Sequence, residues 1–293
     1  MPADVAARHL RALGCGLTES PVSETCAADA GQLLLSPPNS ERRPLGVECA
    51  IEWAGPVYLP LEDEITVQAA CGIMHVHGRK SGVPEPLGVD YASVTAGVLA
   101  AQGGLAALVG RLRGMDLRRV TTSVAQAALL SVMQYLAAAT VNDDGDDDWA
   151  ESMRPGGPPF TSADGVRFEI EVFDAAGWQR FWALVAADET AVRRGWQSFL
   201  LRYATATCPL PDELQQATGS CRFAALTAAA AAAGISILRL RDVAEGSAER
   251  AGLPPWRITA IPGGAPAVSL PRPPTTAQLP LEGLVVIEAC RRL

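Results

Sequence analysis

Hydrophobic and polar positions divide the chain into an early part with long apolar segments and a later part with shorter, alternating ones. Residues 5–13 have the spacing of a short amphipathic helix that ends at Gly14. The long apolar segments 94–112 and 120–139 predict two packed helices joined by an arginine-rich turn. Residues 65–78 fit a strand or a buried helix equally, because the run is apolar with β-branched residues at its ends.

A change of composition near residue 150 predicts a domain boundary. Glycine, proline and aspartate concentrate at 142–148 (NDDGDDD) and 154–159 (RPGGPP). Residues 166–172 then alternate as a half-buried strand does, and helices are predicted at 175–186, 190–204 and 222–233, before strands at 235–240 and 284–288. The pattern predicts an α/β fold with a first domain at 1–150, a smaller α+β domain at 151–252, and a proline-rich return segment at 253–293.

Composition narrows the classes of function. A chain of 293 residues that is 48% hydrophobic can bury a core, and its net charge of −8 argues against a nucleic-acid partner. Seven cysteines without C-x-x-C spacing predict neither a disulfide framework nor a cysteine zinc site. No apolar leader or spanning segment is recognised, so we expect a cytoplasmic protein without a membrane partner.

Possible metal ligands are sparse, and we expect no metal. His75 and His77 would share one side of a strand and could hold an ion only with a third ligand from elsewhere. The acidic residues 143–148 lack the order of a calcium loop and are interpreted as a solvated linker. The acidic residues 62–64 are interpreted as a solvated turn before the next apolar segment.

Residues 68–114 contain, in this order, Gln68, Gly72, Gly82 to Pro84, Asp90, Gly97 and Ala107 to Arg111. With these motifs the segment resembles the class III CoA-transferases, a family that includes formyl-CoA transferase, carnitine CoA-transferases and α-methylacyl-CoA racemase. The later part continues it with Thr161 to Gly165, Trp178, Phe181, Arg202, Leu214 and Gly234-Ile235.

The resemblance implies a Rossmann-like large domain, here truncated, plus a smaller α+β domain, in an interlocked homodimer or paired with a partner copy of the same family. In family members a strand of the type P-L-x-G-x-x-V-x-E opens the chain, whereas here this pattern stands at 280–288 as PLEGLVVIE. The segment between the first helix and Gln68 is also short, so the chain resembles a permuted member or one cut from a tandem.

Asp90 matches the family's catalytic aspartate, which attacks an acyl-CoA thioester and passes through a mixed anhydride to an aspartyl-CoA thioester. Gly88 would permit close backbone approach, and the free amides of the helix that follows Asp90 could stabilise an oxyanion. An aspartate just before a helix is equally suited to be an N-cap, and this alternative stays open.

The remaining candidate contacts with CoA each have a second interpretation. Gly156 and Gly157 lie where family members carry a mobile glycine-rich loop, but a domain linker would also contain them. Arg111, with its neighbouring arginines, could meet CoA phosphates or compensate the dipole at a helix end.

The expected function is CoA transfer between an acyl-CoA and a carboxylic acid through Asp90, with coenzyme A entering as the acyl-CoA substrate. One alternative is a non-catalytic structural or dimerisation half of a larger tandem protein. Another is an acyl-CoA racemase or isomerase, although the histidine of the racemase branch would fall near Asp63, where this chain has none.

Overall fold

The chain forms two compact units, each assembled from separate stretches of sequence. The computed structural model describes residues 1–19, 29–36, 46–141, 157–257, 259, 271–274 and 278–285. The first unit combines Met1–Met74, Pro86–Met133 and Gly252–Cys290, and the second combines His75–Glu85, Gln134–Ala251 and Arg291–Leu293. The functional domains at 1–150, 151–252 and 253–293 stay a prediction, and residues 142–156 at their boundary lie outside the described residues.

The first unit is built on a four-stranded sheet in the order β1 (Gly16–Glu19), β2 (Asp29–Ser36), β3 (Val47–Glu52) and β4 (Arg119–Ser123). The first three strands pair antiparallel, whereas β3 and β4 run parallel with Cys49 opposite Val120. Because parallel strands need a crossover, the chain between β3 and β4 carries helices that cover the sheet. Leu33 and Leu35 face that core with almost no exposure.

Among the described residues, five helices belong to or begin in the first unit: α1 (Pro2–Ala12), α2 (Glu64–Ala70), α3 (Ile73–His77), α4 (Tyr91–Leu112) and α5 (Val124–Ser131). Among the described helices, α4 is the one with the length and hydropathy of a membrane span. It packs against α1, β3 and α5, and half of its apolar window is buried there. A Cβ at Gly97 would lie 2.5 Å from the Pro2 carbonyl oxygen, so this close helix packing requires glycine.

The second unit places helices around a three-stranded antiparallel sheet. The strands are β5 (Phe160–Thr161), β6 (Arg167–Glu171) and β7 (Ser236–Arg239). The helices are α6 (Met133–Val141), α7 (Ala175–Leu184), α8 (Glu189–Thr205), α9 (Asp212–Gly219), α10 (Phe223–Ala233) and α11 (Val243–Arg250), with a 3₁₀ turn at Gly78–Lys80. The core is aromatic and contains Phe160, Phe168, Trp178, Phe181, Trp182 and Phe199, all nearly inaccessible.

The α/β fold class is confirmed, and the helices and strands predicted between 166 and 240 lie within a few residues of those observed. The single helix predicted at 120–139 is wrong at its start, because residues 119–123 form β4 and pair with β3. The ambiguous run 65–78 is helical, since Asp63 and Thr66 form a capping box that starts α2. Of the strand predicted at 284–288, residues 284–285 are described and have no strand structure.

Candidate active site

Asp90 stands directly before α4 with an exposed side chain. Its backbone has φ −78° and ψ 56°, and its carboxylate makes no capping hydrogen bond to the helix. The N-cap alternative that the sequence leaves open is therefore wrong for this side chain. No hydrogen bond or ion pair joins the Asp90 carboxylate to any other described residue.

Glu64, on the neighbouring helix α2, accepts the hydrogen bonds that an N-cap residue would otherwise accept. Its Oε1 accepts from the Ala92 amide at 2.9 Å, and its Oε2 accepts from the Ser93 amide at 2.8 Å. The Glu64 side chain is buried, and the positive end of the α4 dipole favours a negative charge there. The interpretation of residues 62–64 as a solvated turn is therefore wrong for Glu64.

Gln68, one helical turn after Glu64, holds the chain segment that leads to Asp90. Its Nε2 donates to Glu64 Oε1 at 2.8 Å and to the Val89 carbonyl at 2.9 Å, while its Oε1 accepts from the Leu87 amide at 3.0 Å. The side chain is inaccessible to solvent, so a broken bond would leave a buried polar atom without a partner. Gln68 therefore fixes the backbone on both sides of Gly88.

The first amides of α4 are all used inside the protein. The Tyr91 amide donates to the Val89 carbonyl at 2.8 Å, and the Val94 amide donates to the Asp90 carbonyl at 2.9 Å. The two amides between them donate to Glu64. The expectation that free amides at this helix start could stabilise an oxyanion is therefore wrong.

Gly88 leaves open space on the approach to Asp90. Its φ is +69°, which favours glycine, and a Cβ placed there would meet no atom within 4 Å. Val89 and Tyr91, next to Asp90 in the chain, and Val94, one helical turn later, have exposed apolar side chains. The Asp90 carboxylate thus has apolar neighbours in the chain and no hydrogen bond or ion pair with another described residue.

Arg111 lies at the other end of α4, roughly 30 Å along the helix axis from Asp90. Its Nη1 donates to the Leu117 carbonyl at 3.3 Å and lies 3.6 Å from an Asp116 carboxylate oxygen. These contacts hold the turn after the helix. The structure does not bring Arg111 together with Asp90.

Of the two glycines predicted to lie in a mobile loop, the structure describes Gly157 but not Gly156. Gly156 lies outside the described residues. Gly157 belongs to the second unit and has φ +83°. Its carbonyl accepts a hydrogen bond from Gln215 Nε2 at 2.7 Å, and a Cβ at this position would collide with the Cys208 carbonyl oxygen. Gly157 is therefore part of a tightly packed turn.

The residues considered as metal ligands have other arrangements. His75 and His77 lie on α3 instead of a strand, so they do not share a face as assumed. His77 Nδ1 lies 3.0 Å from the Glu85 carbonyl oxygen. No group of three histidine, cysteine or acidic side chains in the described part of the chain could hold a metal ion, and the acidic residues 143–148 lie outside that part.

Comparisons with known proteins agree with this fold. Residues 61–255 match the model of CoA-transferase family III, and no curated protein matches the chain. The structure is similar to Rv3272 from Mycobacterium tuberculosis in its orthorhombic form, with 19% identity and a TM-score of 0.50 over 76% of this chain and 61% of that one. A CAIB/BAIF family protein from Brucella suis is similar over 64% of this chain and 50% of that one, with 19% identity and a TM-score of 0.45. The chain thus spans less than two thirds of the length of these solved structures.

Proposed function

The chain belongs to CoA-transferase family III, and we propose that it transfers CoA between an acyl-CoA and a carboxylic acid with Asp90 as the covalent nucleophile. The observation that carries the proposal is that Glu64, and not Asp90, accepts the hydrogen bonds of the amides at the start of α4. Glu64 accepts the helix amides, which leaves the exposed Asp90 carboxylate without a partner among the described residues. A carboxylate that is not committed to a hydrogen bond is the better nucleophile.

The proposed reaction needs only exchanges between carboxylates and a thiolate. An Asp90 oxygen attacks the thioester carbonyl carbon, the carbon–sulfur bond breaks, and CoA leaves as the thiolate with the bonding pair. The thiolate then attacks the Asp90 carbonyl carbon of the mixed anhydride, which releases the donor acid as a carboxylate and leaves an aspartyl-CoA thioester. The acceptor carboxylate enters by the same two steps in reverse, so no proton or electron is consumed.

The local geometry supports access of a substrate to Asp90. The open side of Gly88 would admit the thioester, and the exposed Val89 and Tyr91 would contact apolar parts of the substrate. Contacts of CoA with Gly156, Gly157 and Arg111 stay predictions. Asp63 caps α2 through Thr66, so it is committed elsewhere, and this favours transfer over racemisation.

Trapping with hydroxylamine tests the proposal. The protein is incubated with acetyl-, succinyl- or oxalyl-CoA and hydroxylamine, and its peptides are analysed by mass spectrometry for a hydroxamate. We expect the modification on Asp90 with at least one donor. It should disappear in Asp90→Asn and persist in Asp212→Asn, which changes an exposed aspartate on α9 in the same way. Failure to modify Asp90 while acyl-CoA binds measurably would overturn the proposal.

A non-catalytic role in a larger assembly is the second candidate function. It is favoured by the internal use of all the first amides of α4, because an oxyanion in this chain then has no donor at that helix start. In this case mass spectrometry would detect no hydroxamate, and calorimetry would measure no binding of acyl-CoA. The non-catalytic role would also require that the chain associates with a complete family member.

The cellular setting and the assembly are also proposals. The family resemblance supports an interlocked homodimer or a partner copy, which light scattering after gel filtration would measure. The cysteine pattern supports a cytoplasmic location.

A further inference from the structure

A cleft of about 440 Å³ lies entirely within the second unit. Its floor includes the polar face of β6, since Glu169 and Glu171 alternate with the buried Phe168 and Ile170. Its walls come from the end of α8, the turn that follows it and the 3₁₀ turn at 78–80. The charged groups in this lining are Lys80, Glu169, Glu171 and Arg202.

Two of these four charges neutralise each other. Arg202 Nη2 donates to Glu171 Oε2 at 2.8 Å, and the Tyr203 hydroxyl donates to the same oxygen at 3.1 Å. The Arg202 side chain is only 8% exposed and stacks over the rings of Phe199 and Tyr203. This pair is a rigid wall of the cleft and has no net charge to offer a ligand.

Glu169 and Lys80 are in a different situation. The Glu169 carboxylate is half-buried, yet no described residue gives it a hydrogen bond or an ion pair. Burial raises the pKa of this carboxyl, and the nearby charges of Arg202 and Lys80 oppose that rise without forming an ion pair with it. Lys80 is exposed at the rim and forms no hydrogen bond or ion pair with a described residue, although its charge acts on Glu169 from a distance. A half-buried carboxylate that receives no hydrogen bond has oxygen atoms free to accept one from a bound ligand.

The position of Lys80 is fixed by its neighbour. Arg79 donates to the Thr205 carbonyl at 2.9 Å and lies 5.0 Å from the ring centroid of Tyr135. The Tyr135 hydroxyl donates to the Tyr203 carbonyl at 2.8 Å. The backbone that carries Lys80 is therefore anchored to the end of α8, beside the cleft.

We propose that this cleft binds a small zwitterion whose ammonium group contacts Glu169 and whose carboxylate contacts Lys80. A ligand of one sign would compensate one of the two charges and be repelled by the other. A zwitterion compensates both, while Tyr203, Leu238 and Pro158 offer apolar surface to the atoms between its ends. The Cys208 thiol in the lining contributes no charge, because burial raises its pKa to about 12.

Straight-chain amino acids from glycine to ω-aminohexanoate probe the proposal, because their charges are separated by increasing distances. Binding to the full chain is measured by ligand-detected NMR titration, with butylamine and butyrate as single-charge controls. We expect one member of the series to bind at least about tenfold more tightly than either control. Absence of saturable binding for every member, or butylamine binding equally well, would overturn the proposal.

Variants test whether Glu169 and Lys80 each contact one charged end of the ligand. Glu169→Gln and Lys80→Gln should each weaken binding by about tenfold or more, whereas Glu249→Gln on α11 should not. Glu169→Gln should leave the thermal midpoint unchanged or raised, because the change removes the cost of burying a charge and breaks no hydrogen bond or ion pair with a described residue. If Glu169→Gln does not fold, the carboxylate has a structural role, which contradicts the proposal. If Lys80→Gln binds with unchanged affinity, the carboxylate end is not recognised, and the zwitterion proposal is wrong.

Discussion

Replacing Glu64 by glutamine tests whether a carboxylate from α2 stabilises the start of α4. The glutamine side chain has the same shape and keeps one oxygen, which can still accept a hydrogen bond from either the Ala92 or the Ser93 amide. The new NH2 group faces the other amide, donor against donor, at a position that is buried. The substitution thus removes one hydrogen bond and the negative charge together.

The magnitude follows from these two losses. A buried amide that loses its acceptor costs about 1–3 kcal/mol. A carboxylate at a partly buried helix N-terminus contributes about 0.3–2 kcal/mol through the helix dipole. We therefore expect Glu64→Gln to lower the free energy of opening at the start of α4 by about 1–5 kcal/mol, which makes exchange of these amides at least roughly tenfold faster.

Hydrogen–deuterium exchange of the peptide that contains residues 90–95 measures this opening directly. Glu62→Gln is the matched control, since Glu62 is exposed and the change removes the same charge two residues away. The control should stay within about 0.5 kcal/mol of the parent protein. Equal exchange rates in Glu64→Gln and Glu62→Gln would refute the assignment of Glu64 as the cap of α4.

Two further predictions concern the second unit. Gly157→Ala should destabilise this unit by about 1–3 kcal/mol more than Gly165→Ala, because both glycines have positive φ but only at Gly157 would a Cβ meet backbone. Urea unfolding followed by tryptophan fluorescence measures the difference, and equal losses would contradict it. Burial raises the pKa of Cys208 from 9.0 to about 12, so the stability that its neutral thiol provides should be complete below pH 9 and be lost as the pH rises towards 12. Unfolding free energies across this range should fall less in Cys208→Ala, and an equally steep fall in that variant would exclude Cys208 as the cause.

The sequence predicts the helices of the second unit well because their signals are local. Asp174 and Asp188 cap α7 and α8 through their own side chains, and Gly234 ends α10 with a positive φ. The sequence does not predict the early strands, because apolar and polar residues alternate little in β2 and β3. β4 was assigned to a helix because its pairing with β3 joins residues about 70 positions apart in sequence.

At the candidate site, the resemblance points to Gln68 and Asp90 and the local sequence to Gly88, whereas Glu64 emerges only from the structure. Its role depends on contacts with amides 28 and 29 residues later in the chain. The one local signal is the spacing of Glu64 and Gln68, which places both side chains on the same face of an apolar helix. Local rules cannot show that this face meets the start of α4.

The interleaving of the two units sets the order in which the chain can complete them. Synthesis delivers β1 to β4 by residue 123, but the first unit also includes residues 252–290, which are made only after residues 134–251 of the second unit. The second unit needs residues 75–85, made long before its strands, and with them the bond from Arg79 to the Thr205 carbonyl. An expression fragment that starts at residue 134 would lack one wall of the cleft, including Lys80. Either unit therefore has to be produced from the continuous chain.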